Sequence, residues 1–430
     1  MKQFITAIVS LGLVIAPLRG QTPTENLDLS QAETFALANQ PSMLAAQLRA
    51  KSIAERVKQA RSGYMPMVNF NATGAQIADT GSATAAGTLA TSALSGRFSY
   101  GGNLTQLVTD FGRTSALVNT ARYGAEAQND FTTLTRAQVR LNVRSAYYQV
   151  LGAEAVLRAA DAAFANRQLI SRQITALAQS ELRSSLDVNF AKVLESEAEL
   201  AVVRARSTVA QERSRLATAM GQDHPITAAL VDASSTGKVL PLALDDLLHQ
   251  AATQRADLSA SQAQRKAAES FAASEKRLIY PTLNVMGAAG QLPYHDHTLH
   301  DDYAALGFNL NIPIFNGGLF AARRNEAELE AKARAQDVHQ LHLQVNEEVR
   351  DSWYRADEAY RSLDVSARLV AQSKEALRLA QDRYEAGLGS IVELNEAQLN
   401  ETSAEITAAD ATYTYLTRCA QLDYAAGLLN

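Results

Sequence analysis

In the stretch Tyr303-Ala-Ala-Leu-Gly-Phe-Asn-Leu-Asn-Ile-Pro-Ile-Phe-Asn-Gly-Gly318, the residues Ala304, Leu306, Phe308, Leu310 and Ile312 alternate with Asn309 and Asn311. That period of two describes a strand with one apolar and one polar face. Pro313 and the Gly317-Gly318 pair close the run, and no proline follows to residue 430. Proline breaks helix interiors, so its absence permits a very long helix from residue 319. Working outward, prolines are also missing between Pro66 and Pro225. Those that remain mark boundaries: Pro41 near a helix start, Pro66 and Pro281 entering strands, Pro225 and Pro241 between the halves. Periodicity then predicts a helix over 30–62, strands over 67–78 and 96–108, and helices over 113–181 and 186–220. The order repeats as a helix over 242–279, strands over 281–290 and 303–314, and helices over 319–386 and 390–426.

The two halves align. An offset of 206 residues pairs Gly112 with Gly318, Arg144 with Arg350, Tyr148 with Tyr354, Asp187 with Glu393, Asn189 with Asn395, Glu195 with Glu401, Glu199 with Glu405 and Gly221 with Gly427. The apolar stripe Val143, Val150, Leu157, Phe164 falls on Val349, Ala356, Leu363, Val370, and Leu377 and Tyr384 continue it. Seven-residue spacing is the period of coiled-coil packing. The division this gives is a leader over 1–20, a first repeat over 21–221, a linker over 222–241 and a second repeat over 242–430. The leader is read from Lys2 followed by the apolar run Phe4 to Ala16, too short to span a bilayer and shaped like a signal peptide.

Composition removes several classes of function. A net charge of −5 argues against a nucleic-acid partner, which wants a basic face. With Cys419 the one cysteine, neither a disulfide framework nor a cysteine-based zinc site can be built. No phosphate loop, HExxH or spaced nucleophile–base pair is present, so an enzyme is disfavoured and no cofactor is expected. What remains is geometry. A helix of about 69 residues spans roughly 100 Å at 1.5 Å per residue, and the two shorter helices of each half together match it in length, so they can stack beside it end to end. The four strands suit a membrane, where a tilted strand needs about 9–11 residues. Four strands alone leave unpaired edges in lipid, and bacterial barrels begin near eight strands. The chain must therefore pool strands with copies of itself: two copies make eight, three make twelve.

The run Tyr384-Glu-Ala-Gly-Leu-Gly-Ser390-Ile-Val-Glu393-Leu-Asn-Glu396-Ala resembles the helix-hairpin tip of the TolC-like outer-membrane efflux proteins. Pro313-Ile-Phe-Asn-Gly-Gly318 and Thr109-Asp-Phe-Gly112 resemble that family's strand-to-helix junctions. The resemblance covers nearly all of the chain after the leader. It implies a mainly α fold with a smaller membrane β part, in which long α-helical hairpins form a trimeric α-barrel continuous with a 12-stranded β-barrel, four strands per chain. It implies a homotrimer in outer-membrane lipid that docks a periplasmic adaptor (a membrane fusion protein) and an inner-membrane transporter of RND, ABC or MFS type. The function it implies is a passive exit duct for efflux or type I secretion. Two rivals use the same helices: a soluble periplasmic coiled-coil adaptor, and an extracytoplasmic enzyme with a helical body.

By the same resemblance Glu393 and Glu396, which share a helix face, stand in an acidic ring at the periplasmic mouth, with Asp187 the matching acid of the first repeat. Acids in a first helical turn also suit the helix dipole without any further role. The adaptor-contact tips are Leu182, Arg183, Ser184 and Ser185 in the first repeat and Gly387, Leu388, Gly389 and Ser390 in the second. Gly387 is expected to supply a positive-φ turn. Its counterpart is Glu181, so the first tip departs from the pattern and its turn is open. His295, His297 and His300 gather near Asp301 in the loop between strands; they are read as polar loop, with metal ligation the lesser alternative and no metal site assigned. Tyr147, Tyr148, Trp353 and Tyr354 are read as packing residues, and Cys419 as a buried small apolar side chain.

Overall fold

The structure is a computed structural model that describes residues 26–76, 83–84, 91–92, 97–181, 184–232, 243–295 and 300–430; the leader predicted over 1–20 lies outside them. In chain order the elements are β1 (Asn26–Leu27), α1 (Leu29–Asn39), α2 (Pro41–Ser62), β2 (Met67–Ala75), β3 (Ala83–Thr84), β4 (Thr91–Ser92), β5 (Arg97–Thr109), α3 (Arg113–Gln179) and α4 (Ser185–Met220). There follow β6 (Ala229–Leu230), α5 (Leu244–Gln254), α6 (Ala256–Lys276), β7 (Thr282–Tyr294), β8 (Asp302–Asn311), α7 (Leu319–Glu385) and α8 (Ile391–Ala425). The long helices α3 and α7 have 67 residues each.

The main sheet is antiparallel with order β2-β5-β7-β8. Each of its strands continues a helix: β2 follows α2, β5 leads into α3, β7 follows α6 and β8 leads into α7. Neighbouring helices keep the same order, α2 against α3, α3 against α6 and α6 against α7. The chain is thus a segment of one wall, part sheet and part helix, with an open edge at β2 and α2 and another at β8 and α7.

Register carries the alternation across all four strands. Val68 stands opposite Leu104, Leu104 opposite Gly287 and Gly287 opposite Leu306, so one face gathers Val68, Phe70, Val285, Leu306, Phe308 and Leu310. The other face carries Asn69 opposite Asn103 and Asn284 opposite Asn309, and Asn71 Nδ2 donates to Asn103 Oδ1 at 3.0 Å. The apolar face is exposed at Val68, Phe70, Leu306 and Phe308 and the asparagines line the opposite face, the alternation of a strand with an apolar medium on one side and water on the other. Aromatic pairs bound the strands. Phe98 and Phe70 lie 6.1 and 6.3 Å from the Tyr100 ring at one end, and Phe111 lies 5.7 Å from Tyr280 at the other, the placement expected of interfacial girdles. On the polar face Gly101 and Gly290 face each other beneath the Tyr303 side chain.

In the helical body α2 and α4 share the length of α3 as predicted: Thr132 Oγ1 donates to Ala46 O at 3.3 Å near one end, and Ala160 packs with Val202 and Ala205 further along. The predicted stripe is the core, with Val143, Val150, Val349, Ala356, Leu363 and Tyr384 buried and Leu157, Phe164 and Leu377 partly so. Cys419 is partly buried against the Ala359–Leu363–Tyr415 cluster. Tyr147 is fully buried and its hydroxyl donates to Leu27 O at 2.9 Å and Val231 O at 2.7 Å. It ties the parallel β1–β6 ladder to α3. The stretch read as a linker therefore supplies a strand, and Ile226 within it joins the core.

Two expected helices are each broken in two. The helix over 30–62 breaks at Gln40, whose extended backbone is the conformation favoured before Pro41. The helix over 242–279 breaks at Arg255, where no proline stands; a tertiary contact does the work. Arg255 Nη1 donates to Ala425 O at 3.2 Å at the end of α8, and the backbone of Gly427 (φ +78°) packs on the break, where an added Cβ would lie 3.1 Å from Arg255 N. The first repeat has the same joint: Gln40 Nε2 donates to Ala219 O at 3.2 Å at the end of α4, and a Cβ on Gly221 (φ +77°) would lie 2.9 Å from Gln40 Cα. Tyr354 also departs from expectation, because it is exposed while Tyr148 is buried.

Candidate gate and hairpin tips

At the second tip α7 ends in a Schellman motif. Leu388 N donates to Arg383 O at 2.8 Å, Gly387 N donates to Tyr384 O at 3.1 Å, and Gly387 takes φ +74° as expected. Ser390 then caps α8, its hydroxyl accepting from Glu393 N at 3.1 Å. Leu388 and Val392 are left exposed. Glu393 and Glu396 both face solvent one turn apart. Glu393 is not a bare carboxylate, since its Oε1 lies 3.2 Å from Arg383 Nε across the turn. Sequence reading missed Arg383, because ten residues separate it from Glu393 and only the folded hairpin brings them together.

The first tip turns the same way without glycine. Glu181 adopts φ +58°, a left-handed conformation that costs a side-chain-bearing residue roughly 1–2 kcal/mol. The open question about this turn is therefore answered by shared geometry at Glu181 and Gly387. Ser184 and Asp187 form a reciprocal capping box, Asp187 N donating to Ser184 Oγ at 3.2 Å and Ser184 N donating to Asp187 Oδ2 at 3.3 Å. Leu182 and Arg183 lie outside the described residues; Ser184, Ser185 and Leu186 are exposed. The matched acids thus have different local work, Asp187 capping a helix and Glu393 pairing with arginine. Gly387→Ala is expected to lower stability by about 1 kcal/mol through backbone strain alone, since nothing lies within 4 Å of the added Cβ. Glu181→Gly should not destabilise, and unfolding of the helical body followed by circular dichroism checks both.

Above the tips, polar contacts that periodicity cannot reveal hold the helices together. Between the hairpins, buried Arg167 on α3 donates to Gln398 Oε1 and, at 3.4 Å, to Asn395 Oδ1, both on α8. Within the second hairpin, Lys374 on α7 pairs with Glu405 on α8 at 2.7 Å. Burial, and next the Glu405 carboxylate, hold the Glu401 carboxyl above its usual range. At the far end of the molecule His295 Nε2 lies 2.9 Å from Asp301 Oδ1 and His300 is exposed, while His297 lies outside the described residues. Among the described residues no group of three histidine, cysteine or acidic side chains is arranged to hold a metal.

The family model described as outer membrane efflux protein matches residues 34–222 and 247–428, both repeats almost in full. The chain belongs to the outer membrane efflux protein family. The outer membrane protein TolC of Escherichia coli K12 is 25% identical over 429 residues, covering 94% of this chain and 84% of TolC. TolC of Salmonella enteritidis is 24% identical over 425 residues, covering 94% and 83%. Among solved structures CusC, described as forming a transmembrane channel, superposes with a TM-score of 0.80 at 19% identity, covering 93% of this chain and 92% of CusC. This efflux protein is accordingly an outer-membrane exit duct with a helical body and a β part, in a family of channels rather than enzymes. The adaptor reading is set aside: its compact β-domain has no counterpart in an open sheet with an exposed apolar face.

Proposed function

We propose that three copies of the chain close edge to edge into one duct, a twelve-stranded barrel in outer-membrane lipid continuous with a helical tunnel through the periplasm. The observation that supports this best is a pair of equivalent tyrosines. Tyr148 on α3 is 9% exposed where the two repeats meet inside the chain, whereas Tyr354, its counterpart on α7, is 60% exposed at the open edge. Leu343 (51%) and its counterpart Ala137 (3%) repeat the contrast. A surface covered within the chain but bare at its edge is a surface awaiting the next copy. Three is the smallest number that leaves a lumen, because an eight-stranded barrel is about filled by its own side chains. The native mass of the detergent-extracted protein tests the ring: three chains support it, one chain overturns it.

Within this duct Glu393, Glu396 and Asp187 form the periplasmic gate. The tips, exposed at Ser184, Ser185, Gly387, Leu388 and Ser390 and including Leu182, Arg183 and the half-buried Gly389, are the docking points of a periplasmic adaptor. The energy comes from the inner-membrane pump behind it, of RND, ABC or MFS type, and the duct itself is passive. Because Arg383 offsets Glu393, Glu396 carries more of the ring's charge. In planar bilayers Glu396→Ala should therefore reduce cation preference more than Glu393→Ala, the double variant should reduce it most, and Arg383→Ala should increase it. Equal selectivity in all four removes the gate assignment.

A further inference from the structure

The internal repeat supplies the register in which the open edges meet. Residues 41–75 fall on 256–290 at an offset of 215 without a gap, Gln47 on Gln262, Lys51 on Lys266, Pro66 on Pro281 and Asn69 on Asn284. From β5 onward the offset is 206, Asn103 falling on Asn309 and Gly112 on Gly318. The sheet obeys both offsets, for Asn69 stands opposite Asn103 and Asn284 opposite Asn309. The β2–β5 and β7–β8 hairpins are thus one hairpin used twice, and β5–β7 is the junction between successive uses. In a closed ring β8 meets β2 of the next copy at the same junction, one repeat later.

We infer that β8 pairs with β2 of a second copy of this chain in the register of the β5–β7 junction carried forward, so that Asn311 stands opposite Asn71 as Thr105 stands opposite Met286. This rests on the closed ring proposed above. The same register sets Leu310 opposite Ala72, Phe308 opposite Gly74 and Asn309 opposite Thr73, for in-chain pairs Leu104–Gly287, Gly102–Ala289 and Asn103–Ala288. It meets the two requirements of a continuous sheet. The first is the faces: Phe308 and Leu310 meet residues of the lipid-facing side, and Asn309 and Asn311 meet residues of the polar side. A slip of one residue would set every pair on opposite faces.

The second is hydrogen bonding. Leu292 N donates to Asp301 O at 2.7 Å, and in an antiparallel ladder such pairs alternate. Odd-numbered β8 residues therefore turn their polar backbone atoms to β7, and even-numbered ones, Phe308 and Leu310 among them, present theirs at the open edge. Carried through the pairings of β7 and β5, the alternation leaves Phe70, Ala72 and Gly74 facing outward on β2. Leu310 and Ala72 can then exchange two hydrogen bonds. Pro313, which has no N–H, falls on the side turned away from the new partner, where it interrupts nothing.

Asn311 and Asn71 form a non-hydrogen-bonded pair, with Cα atoms about 4.5 Å apart, within the ~4.4–6.8 Å range of a disulfide. The test uses the full chain extracted from outer membranes, with Cys419→Ala as background and a mild oxidant. Asn71→Cys with Asn311→Cys should give covalent dimers and trimers on a non-reducing gel. Asn69→Cys or Thr73→Cys, each with Asn311→Cys, are slipped by two residues on the same face and should give less than about a fifth as much product. Thr105→Cys with Met286→Cys should close within one chain and reports that the geometry can be oxidised. Preferential linking of a slipped pair overturns the register and leaves the ring standing. Oligomers of three chains in which the Asn71/Asn311 pair stays unlinked while the in-chain control closes do the same. A native mass of one chain overturns the ring, and the seam with it.

Discussion

Replacing Gly290 with alanine is expected to abolish the membrane sheet while leaving the helical body folded. A Cβ at Gly290 would sit 2.3 Å from Tyr100 O, 2.7 Å from Gly101 Cα and 2.7 Å from the Tyr303 hydroxyl. The tyrosine can swing aside, but the carbonyl belongs to the paired backbone of β5 and moves only if the β5–β7 ladder opens. Overpacking costs typically about 1–3 kcal/mol when side chains can relax; against fixed backbone the cost falls at the upper end or beyond. The fraction recovered as outer-membrane oligomer should drop at least about tenfold, which 1.4 kcal/mol suffices to produce, with helical circular dichroism retained. Two companions sharpen the result. Adding Tyr303→Phe should not rescue Gly290→Ala, because the decisive clash is with backbone. Gly287→Ala should be tolerated, because its Cβ would meet only Leu306 Cδ1 at 3.6 Å and Ala305 O at 3.8 Å. Normal assembly of Gly290→Ala would show that the glycine pair is not the close crossing described.

Arg255→Ala should be the most damaging single change in the helical body. The guanidinium is 6% exposed, pairs with Asp257 Oδ2 at 2.5 Å and Glu348 Oε2 at 2.7 Å, and donates to Ala425 O at 3.2 Å. Removing one partner of a buried pair costs roughly 3–5 kcal/mol because it strands the other charge; here that charge is Asp257, since Glu348 is 54% exposed, and a helix-end carbonyl loses its donor as well. Arg255→Gln discriminates between these terms. Glutamine is what the first repeat uses at the equivalent joint, where Gln40 donates to Ala219 O, so the variant keeps a cap while leaving the carboxylates without their guanidinium. Its loss should be smaller than that of alanine yet well above zero, read as the shift in thermal midpoint of the purified protein. Equal loss in both variants would place the whole effect in the ion pairs.

Much of this architecture can be read directly from the residues. The alternation of Asn309 and Asn311 with Phe308 and Leu310, the proline-free stretches and the match of Gly112 with Gly318 announce strands, long helices and duplication. Each is a local pattern repeated enough times to stand out. Features that depend on meetings between distant segments are not announced. Pro41 is a local signal for the first short-helix break that a single helix over 30–62 passes over, whereas Gln254-Arg255-Ala256 carries no such signal, and its break is imposed by the end of α8. The left-handed Glu181 and Phe111 (φ +55°) carry no glycine to betray them. Phe111 is held by Asp110, whose carboxylate accepts from Gly112 N at 3.0 Å and Thr114 N at 2.6 Å. Tyr354 has the chemistry and spacing of a core residue yet is exposed at the open edge, where the proposed ring would cover it. At the tip, the acids are legible as first-turn residues, whereas the Arg383 partner that offsets Glu393 is not.

A passive duct through the outer membrane conducts ions on its own, and single-channel recording in a planar lipid bilayer tests that most directly. Purified, detergent-extracted protein should insert and give discrete, ohmic conductance steps with no nucleotide or ion gradient supplied, with a cation preference that weakens in the Glu393→Ala, Glu396→Ala double variant. Protein that keeps its helical fold and oligomeric mass yet inserts without conducting would contradict it.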